Sequence, residues 1–318
     1  MKKVISFIMI WLCLSFLVAA LPGSAQAANL VAHSQGTYLN APDYDWWYGC
    51  SPTSAGMMMG YYDRNGYNGL CYDNLVPGGV AELSTFTSTA GTWNYLAQYA
   101  IASPEHVSDF YQGGYLASGD DVAPPYHSFN CLADFMGTSQ DSAVSPPLKT
   151  VGNKNGSTTF WYYDDGYPTT AQDIVNAGLT ASSGMYGLYE YLVYAGYGAI
   201  ANLSTDFYNQ YIDALSLTYG FTFAQYMAEI DAGRVVLVHI EGHTMLGYGY
   251  ETDGTMYIHD TWSEGDHTMT WGGSYSGYAQ KGVTVFIPSG GAPCVPLPGT
   301  VVLLGSGLLG LVVWRRQS

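Results

Sequence analysis

The strongest candidate for a catalytic group in this sequence is a cysteine followed directly by a helix-start motif. Cys50 precedes Ser51 and Pro52, and small residues follow in the next turn. Serine caps free N–H groups and proline is tolerated in the first turn, so a helix is predicted to start here. A thiol at the positive end of a helix has a lowered pKa and becomes a reactive thiolate. Cys50 is therefore predicted to be a nucleophile.

The number of cysteines bears on this prediction, since the sequence contains 5 of them. Cysteines of exported proteins are usually paired, so a disulfide is the competing interpretation for Cys50. Cys13 lies in an apolar N-terminal run and Cys294 lies beside the C-terminal tail, which leaves Cys50, Cys71 and Cys131. These form at most one intramolecular bridge, and a bridge between Cys71 and Cys131 would leave Cys50 as a free thiol.

A thiolate nucleophile needs a base and a group that orients the base, and a C-terminal hairpin offers both. His243 opens a segment rich in Gly and Tyr, and Asp260 ends the following segment. Asp253-Gly254 between these segments is a strong signal for a tight hairpin turn. Antiparallel pairing about this turn matches positions whose numbers sum to about 507, so His243 and Asp260 are expected at the same end of the hairpin.

Hydrophobic periodicity predicts the elements that position these residues. Helices are predicted at residues 52–62, 80–101, 171–176, 185–195, 206–213 and 222–232. Strands are predicted at residues 160–163, 235–240, 243–250, 255–259 and 283–287. Most helices precede the antiparallel segments in the chain, which indicates an α+β fold.

The order of Cys50, His243 and Asp260 along the chain resembles that of papain-like peptidases. More closely, the helix start Cys50-Ser51-Pro52, the Gly-Tyr-rich strand headed by His243 and the strand closed by Asp260 resemble the C39-like peptidase family. The resemblance implies a papain-like fold over residues 29–288, in which an N-terminal helix with the cysteine packs on a C-terminal antiparallel sheet. It also implies hydrolysis of peptide bonds through a Cys-His-Asp triad and an acyl-enzyme, without a cofactor.

One position departs from the family pattern. The family usually has a Gln about six residues before the cysteine to build the oxyanion hole, whereas this sequence has Tyr44. The main-chain N–H of Cys50 supplies one donor, and the second donor stays open between Gln35, Trp46 and Trp47. Loss of one such donor lowers the rate by about 10²–10³, so weak or absent catalysis is an alternative.

A metal site is the competing interpretation for the histidines. His239, Glu241 and His243 alternate, so on one strand their side chains would share a face, and His and carboxylate suit zinc. Such a cluster explains neither the helix at Cys50 nor the Gly-rich hairpin. No metal is therefore predicted, and His239 and Glu241 are expected to be structural partners of the site.

Charge and aromatic content narrow the range of partners. The formal net charge is -16, from 9 Lys and Arg against 25 Asp and Glu, and a phosphate backbone requires clustered basic residues that this sequence lacks. Nucleic-acid binding is therefore excluded. The 29 tyrosines could instead form a platform for carbohydrate or peptide. A catalytically inactive surface or matrix protein that binds extracellular polysaccharide is the alternative function.

Both ends of the chain are predicted to be sorting signals. Residues 1–27 combine Lys2-Lys3, an apolar run and Ala25-Gln26-Ala27, which is typical of a signal peptide cleaved by signal peptidase. Residues 295–318 combine Val-Pro-Leu-Pro, a short apolar stretch from 300 to 314, predicted to be a transmembrane segment, and Arg315-Arg316. This tail resembles the PEP-CTERM signal, which implies a Gram-negative exported protein, temporary inner-membrane anchoring and cleavage by an exosortase-type enzyme. Residues 289–294 are expected to be a linker.

Overall fold

The described part of the chain combines helices with antiparallel strands, in agreement with the predicted α+β class. The computed structural model describes residues 30–32, 36–86, 96–107, 129–138 and 158–294. Its helices include α1 (Cys50–Asn65), α2 (Leu96–Ile101), α3 (Leu132–Met136), α4 (Ala171–Asn176), α5 (Gly184–Tyr194) and α6 (Phe223–Asp231). The strands are β1 (Leu30–Ala32), β2 (Gly36–Leu39), β3 (Leu70–Cys71), β4 (Thr169–Thr170), β5 (Phe207–Tyr211), β6 (Val236–Ile240), β7 (His243–Glu251), β8 (Thr255–His259), β9 (His267–Thr270), β10 (Ser274–Tyr275), β11 (Tyr278–Phe286) and β12 (Ala292–Pro293).

One antiparallel sheet forms the centre of the fold. Its strand order is β1-β2-β7-β6-β11-β5-β4, with β8 and β9 added beside β7 and β10 beside β11. Every residue of β6 is buried, because the strand lies inside the sheet and both of its faces are covered. The central strands β7, β6 and β11 are therefore the part of the sheet that surrounds the start of β7, where His243 lies.

Helix α1 packs against this sheet and is enclosed on its other sides as well. All residues from Ser51 to Asp63 are buried. Two glycines permit close approach: a Cβ at Gly56 would lie 2.4 Å from the side chain of Ile101, and one at Gly60 would lie 2.5 Å from the hydroxyl of Tyr44. Small residues after Cys50 therefore allow tight packing, as the sequence predicted.

The hairpin predicted around Asp253-Gly254 is confirmed. Strands β7 and β8 pair antiparallel, with Leu246 opposite His259 and Tyr250 opposite Met256. A register irregularity between Gly247 and Gly249 shifts the pairing by one position along the hairpin. His243 is the first residue of β7, as predicted.

Three predicted elements differ from the structure. The helix predicted at 206–213 is wrong, since Phe207–Tyr211 forms β5 and pairs with β11. The strand predicted at 160–163 is also wrong: these residues are not part of a strand, and Phe160 and Tyr162 line a cavity instead. Of the helix predicted at 80–101, residues 80–86 are not helical, residues 87–95 lie outside the described residues and Leu96–Ile101 forms α2.

The structure pairs Cys71 with Cys294, so the predicted bridge between Cys71 and Cys131 is wrong. Strand β12 pairs with β3, and the N–H of Cys294 donates to the carbonyl of Gly69 at 3.0 Å, which brings the two cysteines together. The prediction failed because it assigned Cys294 to the tail. Cys50 and Cys131 are the free thiols among the described residues.

The same contacts fix the segment before the tail. Residues 289–294 were expected to be a linker, but this segment contains β12 and ends at the disulfide. The bridge joins residues 223 apart in sequence. Because it restricts a long loop of the unfolded chain, a bridge of this kind typically adds about 2–4 kcal/mol of stability. The folded part therefore extends up to the residue that precedes the predicted sorting tail.

Among the described residues, none of the helices has the length and apolar content needed to cross a membrane. The predicted signal peptide, the apolar stretch at 300–314 and Gln35 lie outside the described residues.

Candidate active site

Cys50 is the first residue of α1, and Gly49 occupies the N-cap position with φ of 117°. This left-handed backbone conformation favours glycine. The Thr53 hydroxyl lies 2.7 Å from the carbonyl oxygen of Gly49 and 2.9 Å from the main-chain nitrogen of Trp47. These contacts fix the turn that leads into the helix, and Cys50 is consequently held in its first turn.

Two serines of α1 bind the start of β7. The hydroxyls of Ser51 and Thr244 are 3.0 Å apart, and Ser54 donates to the main-chain carbonyl of Thr244 at 2.9 Å. Ser51 was predicted to cap a helix that starts at Pro52, but α1 starts at Cys50, and the Ser51 side chain contacts the sheet instead. Because Thr244 follows His243, these bonds hold the helix that contains Cys50 next to the strand that contains His243.

The imidazole of His243 is oriented by the loop that follows β8. Its Nε2 atom lies 2.7 Å from the main-chain carbonyl oxygen of Asp260, which can only accept. The proton of the neutral ring is therefore on Nε2, and Nδ1 remains an acceptor. The ring also stacks on Trp262, with a centroid separation of 3.9 Å and an interplanar angle of 23°. His243 and Asp260 thus lie at the same end of the hairpin, but the hydrogen bond uses the main-chain carbonyl and not the side-chain carboxylate expected for a triad.

The carboxylate of Asp260 has other partners. Its Oδ1 atom accepts from the main-chain N–H groups of Trp262 at 2.8 Å and Ser263 at 3.0 Å. Its Oδ2 atom accepts from the hydroxyl of Tyr275 at 2.6 Å. Asp260 therefore holds the imidazole of His243 through its main-chain carbonyl, while its carboxylate orders the loop from 260 to 263.

Cys50 and His243 line the same cavity, which has a volume of about 610 Å³. Aromatic side chains from the segment that contains Phe160 and Tyr162 and from β5 form part of its wall, and the cavity lining also includes acidic side chains. Its lining residues are Cys50, Ser51, Thr158, Phe160, Tyr162, Asp164, Tyr211, Leu215, Leu217, His239, Ile240, Glu241, Gly242, His243, Thr244 and Lys281. An extended peptide placed here would meet the thiol, the imidazole and apolar surface together.

Burial determines the charge state of both groups. It raises the pKa of the Cys50 thiol above 9.0, and hydrogen bonding to the main chain of Thr244 offsets only part of this effect. Burial also lowers the pKa of His243 below 6.5, opposed in part by the hydrogen bond and charge of Asp260. At neutral pH the site therefore contains a thiol and a neutral imidazole. The lowered thiol pKa predicted from the helix terminus is wrong, because desolvation outweighs the helix dipole.

Tyr44 belongs to the core. It is 0% exposed, and its hydroxyl donates to the carbonyl of Glu82 at 2.8 Å. Trp46 and Trp47, the indole donors considered for the oxyanion hole, are not among the described residues that line the cavity. Among the described residues, the remaining candidate donor to the oxyanion hole is the main-chain N–H of Cys50, which lies at the N-terminus of α1.

A Tyr44→Phe variant is expected to keep the kcat of the wild-type chain on any peptide substrate. The variant loses one hydrogen bond, which lowers the free energy of unfolding by about 1 kcal/mol. Were Tyr44 an oxyanion donor, kcat would fall by about 10²–10³. Steady-state kinetics together with urea unfolding of both proteins distinguishes these outcomes.

The residues considered for zinc do not share one strand. His239 lies on β6, Glu241 lies in the turn and His243 begins β7. Both ring nitrogens of His239 have hydroxyl partners, Thr244 at 3.1 Å and Thr284 at 2.8 Å. The arrangement places His239 in a hydrogen-bond network inside the sheet.

A second cluster of metal-ligand type occurs among the described residues: His106, Cys131 and Asp134. The Asp134 carboxylate lies 2.8 Å from Nδ1 of His106, and it accepts the Cys131 thiol at 3.1 Å. It also accepts the main-chain N–H groups of Asn130 and Cys131, at 3.0 and 3.3 Å. These bonds cap the N-terminus of α3, so the cluster has a structural role.

Sequence reasoning missed several residues around the thiol and the imidazole. Thr244, Thr284 and Asn209 are buried polar residues on β7, β11 and β5, and no local sequence pattern marked them as neighbours of the site. Trp262 stacks on His243, and its position two residues after Asp260 gave no indication of this contact. These residues come from four segments that meet only in the folded sheet.

Two family models match the chain. Residues 149–282 match the Peptidase_C39 like family, a range that includes His243 and Asp260 but not Cys50, and residues 295–317 match the PEP-CTERM protein-sorting motif. No curated protein and no solved structure matches the chain significantly. The hairpin with His243 and Asp260 lies within the matched region, and the sorting motif begins directly after Cys294. Residues 149–282 are thus similar to the C39-like peptidase family, and the C-terminal residues 295–317 match the PEP-CTERM sorting motif.

Proposed function

We propose that this protein is an exported cysteine peptidase that uses Cys50 as nucleophile, His243 as base and acid, and Asp260 to orient His243. The observation that supports this most is that Cys50 and His243 line one cavity while residue 260 holds Nε2 of the imidazole. This leaves Nδ1 of His243 as the acceptor for a proton. A papain-like arrangement, with the helix of the nucleophile packed on the sheet of the base, is part of the proposal.

In the proposed reaction the thiol of Cys50 loses its proton to Nδ1 of His243 as sulfur attacks the peptide carbonyl. The main-chain N–H of Cys50 stabilises the negative charge that develops on the carbonyl oxygen. The imidazolium then protonates the leaving amine as the C–N bond breaks, which leaves a thioester. Water attacks the thioester, His243 accepts its proton, and cleavage of the C–S bond releases the acid and restores the thiol.

In this proposal the protein acts outside the cytoplasm, which the match to the PEP-CTERM sorting motif supports. Signal peptidase would remove residues 1–27, and an exosortase-type enzyme would process the tail that begins at residue 295. The protein would be held briefly at the inner membrane of a Gram-negative cell and then act at the surface or outside it. Residues 29–288 form the proposed peptidase domain, and its substrate is a peptide or protein.

A binding function without catalysis is the second candidate, and two observations favour it. The thiol is uncharged at neutral pH because of burial, and the family glutamine is replaced by Tyr44, whose hydroxyl is used within the core. On this alternative the aromatic cavity binds a peptide or an extracellular polysaccharide. Retention of wild-type chain on a polysaccharide column, with no hydrolysis of a peptide library, would favour it.

The pH dependence of the wild-type protein tests the proposed charge states. Alkylation of Cys50 by iodoacetamide should increase with pH through a value above 9.0, since only the thiolate reacts and the pKa of the thiol is raised. Hydrolysis of a peptide library should fall only below pH 6.5, because His243 gains its proton there and ceases to accept one. An alkylation rate that stays constant through the weakly acidic range would contradict a neutral Cys50 thiol beside a neutral His243 imidazole.

A further inference from the structure

A row of buried hydroxyl, imidazole and amide groups runs from the cavity wall into the sheet. Ser51 and Thr244 are 3.0 Å apart, Thr244 and Nδ1 of His239 are 3.1 Å apart, and Nε2 of His239 is 2.8 Å from Thr284. Thr284 donates to Oδ1 of Asn209 at 2.6 Å. Each of these five side chains is at most 5% exposed, so solvent does not compete for their hydrogen bonds.

The direction of these hydrogen bonds is fixed at the inner end of the row. The amide nitrogen of Asn209 donates to the main-chain carbonyl of Trp161 at 3.1 Å, which leaves its oxygen facing Thr284. The hydroxyl of Thr284 uses its single hydrogen in the bond to Asn209. Thr284 can therefore only accept from His239, and the ring hydrogen of His239 must be on Nε2.

The same reasoning extends to the cavity. Burial lowers the pKa of His239 to about 3, and the ring packs on Phe160 at a centroid distance of 4.1 Å, so the imidazole is neutral. Its Nδ1 atom has no hydrogen and accepts from Thr244. Thr244 then accepts from Ser51, which leaves the Ser51 oxygen as an acceptor. The Cys50 sulfur lies 4.0 Å from that oxygen.

We propose that His239 is a positioning residue for the nucleophile: with its hydrogen fixed on Nε2 by Thr284 and Asn209, it orients Thr244 and Ser51 so that Ser51 accepts from the Cys50 thiol. This inference rests on the proposed function only in naming Cys50 the nucleophile. A hydroxyl that donated to the sulfur would favour the thiolate, whereas a hydroxyl that accepts favours the protonated thiol. The network therefore holds the resting site in its thiol form.

The contact between Asn209 and the carbonyl of Trp161 also prevents the hydrogen bonds of this row from running in the opposite direction. For Ser51 to donate to sulfur, each hydroxyl must turn, His239 must move its hydrogen to Nδ1, and Asn209 must present its nitrogen to Thr284. The oxygen of Asn209 would then face the carbonyl of Trp161, so two acceptors would be in contact without a hydrogen between them. An unsatisfied buried polar contact of this kind is strongly unfavourable. The carbonyl of Trp161 thus determines which way Ser51 points.

Other charged or titratable groups face the same cavity and affect the thiol independently of this row. They are His243, Asp164, Glu241, Lys281, Tyr162 and Tyr211. Glu241 and Lys281 form an ion pair of 2.8 Å in the partly exposed rim. Variants at Thr284 and Ser51 leave all of these groups unchanged. A difference in the pH profile of Cys50 alkylation between such variants therefore results from the hydrogen bonds of the row.

The test is the pH profile for iodoacetamide alkylation of Cys50 in the full folded chain, read from the peptide that contains Cys50 by mass spectrometry. Thr284→Val removes the hydroxyl that fixes the ring hydrogen of His239 on Nε2. The hydrogen can then move to Nδ1, and the hydrogen bonds through Thr244 and Ser51 can run toward the sulfur. The profile is expected to move to lower pH by about one unit, equivalent to about tenfold faster alkylation at neutral pH. Thr284→Ser keeps the hydroxyl and should match the wild-type profile.

Ser51→Ala gives a second, independent test of whether Ser51 accepts a hydrogen bond from the Cys50 thiol or donates one to it. If Ser51 accepts from the thiol, its removal moves the profile to lower pH, and if Ser51 donates to the thiolate, removal moves it to higher pH. A Thr284→Val profile that coincides with the wild type, or a Ser51→Ala shift to higher pH, overturns the inference. Alkylation does not require peptide hydrolysis, so an inactive protein with the expected shifts would refute the proposed function alone.

Discussion

Replacing Cys50 by alanine should reduce peptide hydrolysis to the rate of the uncatalysed reaction or close to it. The alanine has no atom that can attack the carbonyl, so no acyl-enzyme forms and His243 has no partner for proton transfer. Removal of the nucleophile from an enzyme with this kind of catalytic unit lowers kcat by about 10⁶. The fold should be preserved, since Cys50 makes no disulfide and its neighbours Ser51 and Ser54 hold α1 on the sheet. The measurement is initial-rate hydrolysis of a quenched fluorescent peptide library.

Cys131→Ser is the matched control for that variant. Cys131 is the other free cysteine among the described residues, and a serine hydroxyl can still donate to the carboxylate of Asp134. This variant should hydrolyse the library at close to the wild-type rate. Equal hydrolysis by the Cys50→Ala variant and the wild-type chain would assign any activity to another group or to a contaminant.

Replacing His243 by glutamine should lower kcat by about 10²–10⁴, the usual contribution of a positioned general acid and base. The glutamine amide can still donate to the carbonyl of Asp260, so the variant retains the hydrogen bond that orients the side chain. It has no basic nitrogen at the position of Nδ1, and therefore neither accepts the thiol proton nor protonates the leaving amine. Steady-state kinetics should show the loss in kcat rather than in KM.

Asp260→Asn is the companion to this variant and separates two ways of holding the imidazole. The main-chain carbonyl of residue 260 is unchanged by the substitution, and the asparagine oxygen can still accept from Trp262 and Ser263. Activity should therefore fall by less than about tenfold. In a triad where the carboxylate itself holds the imidazole, the same change lowers kcat by about 10⁴. A loss of that size in this protein would contradict the role of the carbonyl.

The parts of the site that could be predicted are those with local sequence signals. A helix start beside Cys50 and an Asp-Gly turn between two apolar segments each fix a few neighbouring residues, and the structure has α1 and the β7–β8 hairpin there. The position of His243 next to Asp260 followed from the pairing of that hairpin alone. These features depend on contacts that are close in sequence.

The parts that could not be predicted depend on strand order and on distant contacts. Thr244, His239, Thr284 and Asn209 become neighbours because β7, β6, β11 and β5 are adjacent in the sheet, an order that no local pattern encodes. The bridge to Cys294 depends on a two-stranded pairing between distant segments. The raised pKa of the thiol has the same origin, since it results from burial by the whole fold and not from the helix terminus.

The most direct test of the central claim, that Cys50 is a nucleophile served by His243, is to map the adduct of an epoxide-type cysteine peptidase inhibitor by tandem mass spectrometry. The wild-type chain should form one adduct, on the sulfur of Cys50, and the His243→Gln variant should form it much more slowly while Cys131→Ser behaves like the wild type. An adduct on Cys131, or equal rates in the wild type and the His243→Gln variant, would contradict the account.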